Sequence, residues 1–278
     1  MPEGPEIRRA ADRLARVLDG QILQRVELLM PHIARHEPWL RGQRVVRVQP
    51  RAKAMLIHFA GGRTLYSHNQ LYGRWYVVRA GATPRTRRSL RLALHTRDHS
   101  ALLYSASEIE LLSAAQLRRH PYLAKLGPDL LDPETTLERV RAQAEEQRFQ
   151  RRSLAALLLD QAFYAGLGNY LRSEILHVAA LPHDATLGSI GVAARRLLAD
   201  TALEMTRQAY RRRGVTNDLQ RAAHLKAQGL DYAHYRHHVF AREGLGCWTC
   251  GTPVRRVEVS GRAIFFCPSC QPVVRPRS

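Results

Sequence analysis

Cys247, Cys250, Cys267 and Cys270 are the only cysteines in the 278-residue chain, and all lie near its C-terminal end. Their spacing, C-x2-C-x16-C-x2-C, constrains the chain more tightly than any other feature. Two C-x2-C corners separated by the length of one β-hairpin can bring four sulfurs to a single point. That is the frame of a structural zinc ribbon, with one Zn2+ as cofactor. Two disulfides are the competing reading, and a reducing compartment disfavours it. Between the corners, Val254–Val259 and Ala263–Phe266 read as strands joined by Ser260-Gly261-Arg262. Arg262 then stands at a hairpin tip held by the metal. It is either a turn arginine with no partner or a guanidinium placed to fork onto a phosphate.

The opposite end of the chain is Met1-Pro2-Glu3-Gly4-Pro5-Glu6. Initiator Met is usually trimmed before a small residue, and trimming here would expose the secondary amine of Pro2. Such an amine attacking an aldehyde-level carbon gives an iminium directly, an electron sink of the Schiff-base type. Glu3 is the nearest proton donor or acceptor. Pro5 suits a first helical position, and Ile7, Ala10, Ala11, Leu14, Val17 and Leu18 repeat at helical spacing up to Gly20. The amine would sit at a helix N-terminus, which disfavours its charged form. The plainer reading is a helix lead-in without chemistry.

Charge narrows the choice of partner. There are 43 Lys and Arg against 24 Asp and Glu, a net +19, with a pI near 10.9. An excess of that size calls for a polyanion, and nucleic acid is the first candidate. No apolar run reaches the length of a membrane span, no lipidation signal appears, and the N-terminal residues lack the apolar core of a secretion signal. A cytoplasmic protein without a membrane partner is expected.

Between these ends the chain changes character once. Gln21–Leu29, Gln43–Gln49, Ala54–Ala60, Thr64–His68, Arg74–Arg79, Ser89–His95 and Ala101–Ser105 read as short strands with turn signals, predicting a pair of packed antiparallel sheets. Lys53, at the start of one strand, is either an ordinary exposed lysine or a fixed cation for a phosphate or a proton. In the loop at Gln70-Leu71-Tyr72, the Leu and Tyr either fold back into the core or stand out to meet a base stack. Ser107–His120 reads as a helix capped by Ser105 or Ser107. A Pro- and Gly-rich connector from His120 to Asp129 follows. Helices are then expected over Thr136–Gln147, Ser153–Ala165, Asn169–Ala180 with Asn169 as N-cap, and Ser189–Arg212. The last ends in Arg211-Arg212-Arg213, either a solvated end or a phosphate clamp. Thr216–His238 carries no assignable chemistry. The fold class is α+β: an N-terminal sandwich at 1–124, a linker and first helix at 125–150, a helical domain at 151–237, a zinc finger at 238–272 and a basic tail at 273–278.

These segments in this order resemble the formamidopyrimidine-DNA glycosylase family, in its endonuclease VIII branch, over essentially the full length. The carriers are Met1 through Asp12, Leu65 through Gly73, His120-Pro121 through Asp129, Leu158 through Phe163, Gly166 through Arg172, and the cysteine frame with Arg262. The resemblance implies a helix–two-turns–helix motif in the second half. It also implies a monomeric bifunctional enzyme that excises oxidised bases, chiefly pyrimidines, from double-stranded DNA and nicks the strand by β,δ-elimination. Pro2 is similar to the family's Schiff-base nucleophile, Glu3 to its proton shuttle, Lys53 to a proton donor in β-elimination and Arg262 to the arginine of δ-elimination. Gln70, Leu71 and Tyr72 match the residues that fill the gap left by an everted base. Asn169 and Lys125 match phosphate ligands, although the branch usually has Arg at the latter position. The rival is a non-catalytic zinc protein that binds nucleic acid.

Overall fold

The computed structural model describes residues 2–272. Met1 and residues 273–278 lie outside the described residues, and with them the expectations of Met1 removal and of a basic tail. The chain divides into two compact units, Met1–Lys125 and Leu126–Ser278.

In the first unit, α1 (Gly4–Leu18) precedes β1 (Arg25–Leu28), two one-turn helices α2 (Pro31–Ala34) and α3 (Glu37–Leu40), and then seven strands. These are β2 (Val45–Arg51), β3 (Ala54–Phe59), β4 (Arg63–His68), β5 (Arg74–Arg79), β6 (Leu90–His95), β7 (His99–Tyr104) and β8 (Glu108–Ser113). They form two antiparallel sheets in the orders β1-β6-β7-β5 and β2-β3-β4-β8. Alternation decides the faces. Met55, Ile57 and Phe59 of β3 meet Leu92, Leu94 and Leu103 of the other sheet in one core, which α1 joins through Ile7, Ala11, Leu14 and Leu18. The other face of β3, at Ala54 and Leu56, is covered with Tyr66 and Leu112 by Leu117, Tyr122 and Leu123. Both faces of that strand are therefore apolar.

One expectation fails here. Ser107–His120 is not a single helix: β8 occupies its first half, pairs antiparallel with β4 from His68↔Glu108 to Arg63↔Ser113, and only Ala114–Arg118 (α4) is helical. Ser113 caps α4, accepting from Gln116 N–H at 3.3 Å, so neither Ser105 nor Ser107 does. Glu-Ile-Glu-Leu alternates at period two, and the open edge of β4 supplies the hydrogen bonds that make it a strand.

The second unit contains α5 (Leu137–Glu145), α6 (Leu154–Leu157), α7 (Asn169–Val178), α8 (Val192–Arg211), α9 (Leu219–Ala227) and α10 (Tyr232–Tyr235), then the hairpin β9 (Arg255–Val259) and β10 (Arg262–Phe266). Its core gathers Val140, Ala144, Leu154, Leu158, Phe163, Leu171, Ile175, Leu198 and Ala202 with Ile264 of the hairpin. The expected helix over Ser153–Ala165 shrinks to one turn, α6. Beyond it the backbone donors find other partners: Ala162 N–H reaches Asp160 Oδ1 at 2.9 Å and Ala165 N–H reaches the Pro128 carbonyl at 2.9 Å. Gln161 bridges the carbonyls of Leu159 and Leu167, both at 3.0 Å. The apolar residues are buried as expected, but in two packed turns. Helix α8 likewise begins at Val192, because Thr186 caps a separate short turn at Leu187–Ser189. Among the described residues, no helix is long and apolar enough to cross a membrane.

Candidate active site and nucleic-acid interface

At the start of α1, Glu3 is the N-cap and is 1% exposed. Its N–H donates to Glu6 Oε2 at 3.0 Å, and its carbonyl accepts from the N–H groups of Glu6 and Ile7, both at 3.1 Å. The two side chains form a capping box, each carboxylate accepting from the other residue's backbone. Gly4 rather than Pro5 is the first helical residue. Capping holds a buried carboxylate next to Pro2, at a helix end whose dipole favours negative charge. Pro2 itself is partly accessible and lines a cleft of about 320 Å³ together with Leu71 and Tyr72.

Lys53 does not sit on an exposed strand flank. It is the second residue of a two-residue turn between β2 and β3, after Ala52 at φ 53°, and is only 8% exposed. Its N–H donates to the Tyr122 hydroxyl at 3.3 Å, and the Tyr122 ring packs edge-on against His68 at 5.1 Å. Burial holds the His68 imidazole below its usual range; Glu108 opposes this and Lys53 adds to it. A buried cation in a tight turn is a costly arrangement that ordinary strand packing does not require.

The loop after β4 settles the question left open at Leu71 and Tyr72: they are 54% and 63% exposed. The loop is held from below. Gln70, at φ 47°, accepts from Ser107 Oγ at 2.7 Å, donates through its side chain to Glu108, and donates its N–H to His68 Nδ1 at 3.2 Å. Gly73 N–H closes the turn on the Asn69 carbonyl at 2.7 Å. Two large side chains on a rigid base point to solvent, the form of a wedge rather than of a loose loop.

In the second unit, Asn169 opens α7 as its first residue, with Gly168 as the N-cap, so the expected capping role passes to glycine. The Asn169 side chain donates to the Ala263 carbonyl at 2.8 Å and accepts from Arg172 Nη2 at 2.7 Å. Arg172, fully buried, also donates to the carbonyls of Ala155 at 3.1 Å, Arg262 at 3.3 Å and Ala263 at 3.1 Å. One guanidinium thus ties α6, α7 and the start of β10. Ser260 and Gly261 turn the hairpin with φ of 54° and 71°, and Arg262 is exposed opposite Val259. Asn169 and Arg262 are brought to one place, and Arg172 is the link that residue types alone did not reveal. Lys125 is exposed in a short turn at Leu123–Lys125, and Arg211, Arg212 and Arg213 are exposed at the C-terminal end of α8.

The four cysteine sulfurs lie within 4.8 Å of one another. Individual pairs are Cys247–Cys270 at 3.9 Å, Cys250–Cys267 at 3.4 Å and Cys250–Cys270 at 3.5 Å. These are far beyond the roughly 2.05 Å of a disulfide and close to the roughly 3.8 Å edge of a tetrahedron of sulfurs about zinc. Backbone N–H groups of Thr249 and Cys270 point at Cys247 and Cys267 sulfurs, at 3.4 and 3.5 Å. The set fits a thiolate-bound metal ion.

The stretch without assignable chemistry, Thr216–His238, packs around a buried carboxylate. Glu174 on α7 is 0% exposed and accepts from the Thr216 hydroxyl at 2.6 Å and from the N–H groups of His238, Val239 and Phe240 at 2.7, 2.8 and 2.9 Å. Burial raises its pKa, but His237, His238 and these hydrogen bonds outweigh that and hold it at about 2. Burial in turn pushes His237 down to about 4. The signal available in the sequence was a pair of charges, Arg172 and Glu174, set among Tyr170, Leu171, Ile175 and Leu176 of one helix.

Comparison with known proteins agrees with this arrangement. Residues 1–107 match the formamidopyrimidine-DNA glycosylase N-terminal domain. Endonuclease 8 of Klebsiella pneumoniae is 44% identical over 98% of this chain and 100% of its own length; endonuclease 8 of Salmonella arizonae is 45% identical with the same coverage. Among solved structures, Lactococcus lactis formamidopyrimidine-DNA glycosylase, bound non-covalently to DNA with an abasic site, has a TM-score of 0.79 at 21% identity, covering 98% of this chain and 100% of that one. At that identity the likeness speaks for the fold alone. The full-length identity to the endonuclease 8 proteins speaks for more, and removes the non-catalytic rival. A partly accessible second residue beside a buried capping glutamate, a buried turn lysine, a rigid two-residue wedge and a four-cysteine hairpin are thus carried by a chain that belongs to the formamidopyrimidine-DNA glycosylase family of DNA-repair glycosylases with AP lyase activity, in its endonuclease 8 branch.

Proposed function

We propose that the protein excises oxidised pyrimidines from double-stranded DNA and then cleaves the strand by successive β- and δ-elimination, acting as a monomer. The observation that carries this reading is the pairing of a partly accessible Pro2 with a Glu3 carboxylate that is buried and fixed by its own capping box. The lone pair of the Pro2 amine bonds to C1′ of the damaged nucleotide, and the base departs with the electrons of the glycosidic bond. The Glu3 carboxylate takes the N–H proton from the resulting ammonium and passes it to the ring oxygen, the C1′–O bond of the ring opens, and the freed Pro2 lone pair forms the iminium. The iminium acidifies C2′; loss of that proton expels the 3′ phosphate. Loss of a further proton, from C4′, then expels the 5′ phosphate. Lys53 serves the first elimination as proton donor, and Arg262 stabilises charge on the phosphate in the second. Gln70, Leu71 and Tyr72 fill the duplex where the base has left. Asn169 and Lys125 hold backbone phosphates. Zinc bound by Cys247, Cys250, Cys267 and Cys270 would fix the hairpin that presents Arg262; metal analysis of the reduced protein should find one zinc per chain.

Borohydride reduction in the presence of abasic DNA tests the central step. Native protein should be trapped as a covalent adduct, and a Pro2→Gly variant or one carrying an extra N-terminal residue should lose most of it. Native protein that forms no adduct, or active protein whose intact mass retains Met1, would overturn the assignment of Pro2.

A further inference from the structure

The cleft beside Pro2 carries charge for which the chemistry at Pro2 has no use. Four arginines line it: Arg9 and Arg13, one helical turn apart on α1, Arg74 at the start of β5, and Arg88 ahead of β6. Glu6 is the one carboxylate-bearing residue among its lining residues, and it pairs with Arg9 at 3.1 Å. Two of the others are steadied: Arg88 donates to the Tyr72 carbonyl, and the Arg74 guanidinium lies 5.1 Å from the centre of the Tyr76 ring. Burial pushes the Arg13 guanidinium below its usual range, and the nearby Arg9 and Arg74 push it further, with Asp12 opposing. Like charges gathered at one wall repel, and an anion relieves that repulsion.

Two buried polar atoms belong to the same wall. Trp75, 4% exposed, lines the cleft, and its indole Nε1 is buried and meets no acceptor among the described residues. Asn69, 6% exposed, lines it too with its Oδ1 likewise unmatched, and a flipped amide would present N–H instead. A neutral base does not call for several guanidiniums, whereas the non-bridging oxygens of a phosphodiester match them.

We infer that this cleft binds a backbone phosphate of the duplex, close to the nucleotide that Pro2 attacks, and so sets the register of the DNA against Leu71 and Tyr72. Phosphate contacts of this kind position a duplex without reading its sequence. The inference rests on the reading of Pro2 and the loop given above.

The test is a phosphate scan. Duplexes with a non-cleavable tetrahydrofuran abasic analogue carry one neutral methylphosphonate at a time, along either strand, and are titrated against wild type and an R13Q/R74Q double variant whose circular dichroism matches wild type. At one position, neutralisation should weaken wild-type binding roughly tenfold and the double variant hardly at all, while the double variant's salt slope falls by about one per lost contact. R13K/R74K should retain most of the coupling. If every position weakens both proteins equally, the subsite does not exist; if inorganic phosphate competes with wild type but no duplex position couples, a free anion rather than DNA is the ligand and the inference is overturned. Borohydride trapping of wild type keeps the two failures apart. An adduct without coupling rejects the subsite alone, and coupling without an adduct rejects the role of Pro2 alone.

Discussion

Arg172 shows how a single side chain can fix the place of others. Its two terminal nitrogens donate to four acceptors, including the backbone at Arg262 and Ala263 and the side chain of Asn169. Lysine keeps the charge but has one nitrogen on a flexible stem, so it cannot serve both ends of the fork. Arg172→Lys should cost about 2 kcal/mol in denaturant unfolding. It should also leave more β- than δ-elimination product, because the start of β10 is no longer pinned. Gel analysis of the nicked ends measures that ratio. A variant that loses stability while its product ratio stays at the wild-type value would show that Arg172 serves folding only. Glu3 and Lys53 follow the same logic: each is a charged residue that the fold buries, Glu3 in its capping box and Lys53 in a tight turn whose N–H is tied to the Tyr122 hydroxyl.

At the scale of elements, the wedge after β4 depends on a close approach. A Cβ added at Gly73 would lie 2.6 Å from both Cα and O of Asn69, which are backbone atoms that cannot step aside. Gly73→Ala should therefore open the turn that Gly73 N–H closes, at a cost of about 1–3 kcal/mol. Leu71 and Tyr72 should be released from their fixed stance. Binding to duplexes with a missing base should weaken more than binding to intact duplex of the same length, measured by fluorescence anisotropy. Equal weakening on both would mean that the loop gives general affinity and no gap filling. This element was legible as a loop with unusual side chains, yet periodicity left the direction of Leu71 and Tyr72 undecided. What decides it is the anchoring of Gln70 by Ser107 and Glu108, residues some 38 positions away along the chain. Long-range pairing of another kind, with the edge of β4, turned Glu108–Ser113 into a strand. Helix α6 stopped early for a related reason: Asp160 and Gln161 took over the backbone hydrogen bonds that would have continued it.

For the whole molecule, buried titratable groups set the pH range of stability. His177, His183, His237 and His238 all lie below the ordinary 6.5, with burial the largest cause in each. The unfolded chain binds protons that the folded chain refuses, so stability falls as pH drops from 6.5, through about 4 in the case of His237. Glu174, held at about 2 against an ordinary 4.5, contributes stability that is fully present above 4.5 and is lost as pH falls toward 2. The urea midpoint should thus decline steadily below about pH 6.5; a midpoint unchanged between about pH 7 and about pH 5 would contradict the burial of these histidines. Composition and spacing alone determined much about this protein. The cysteine frame, the Pro-Glu start, the alternating first half, the helical second half and the demand for a polyanion are all local or summed properties, and local chemistry expresses itself wherever the chain goes. The burial of Lys53, the outward stance of Leu71 and Tyr72, the anchor at Glu174, the fork of Arg172 and the arginine-lined cleft were decided only by tertiary structure. Each depends on partners distant in sequence, and a buried charge declares its partner only once the chain has folded around it.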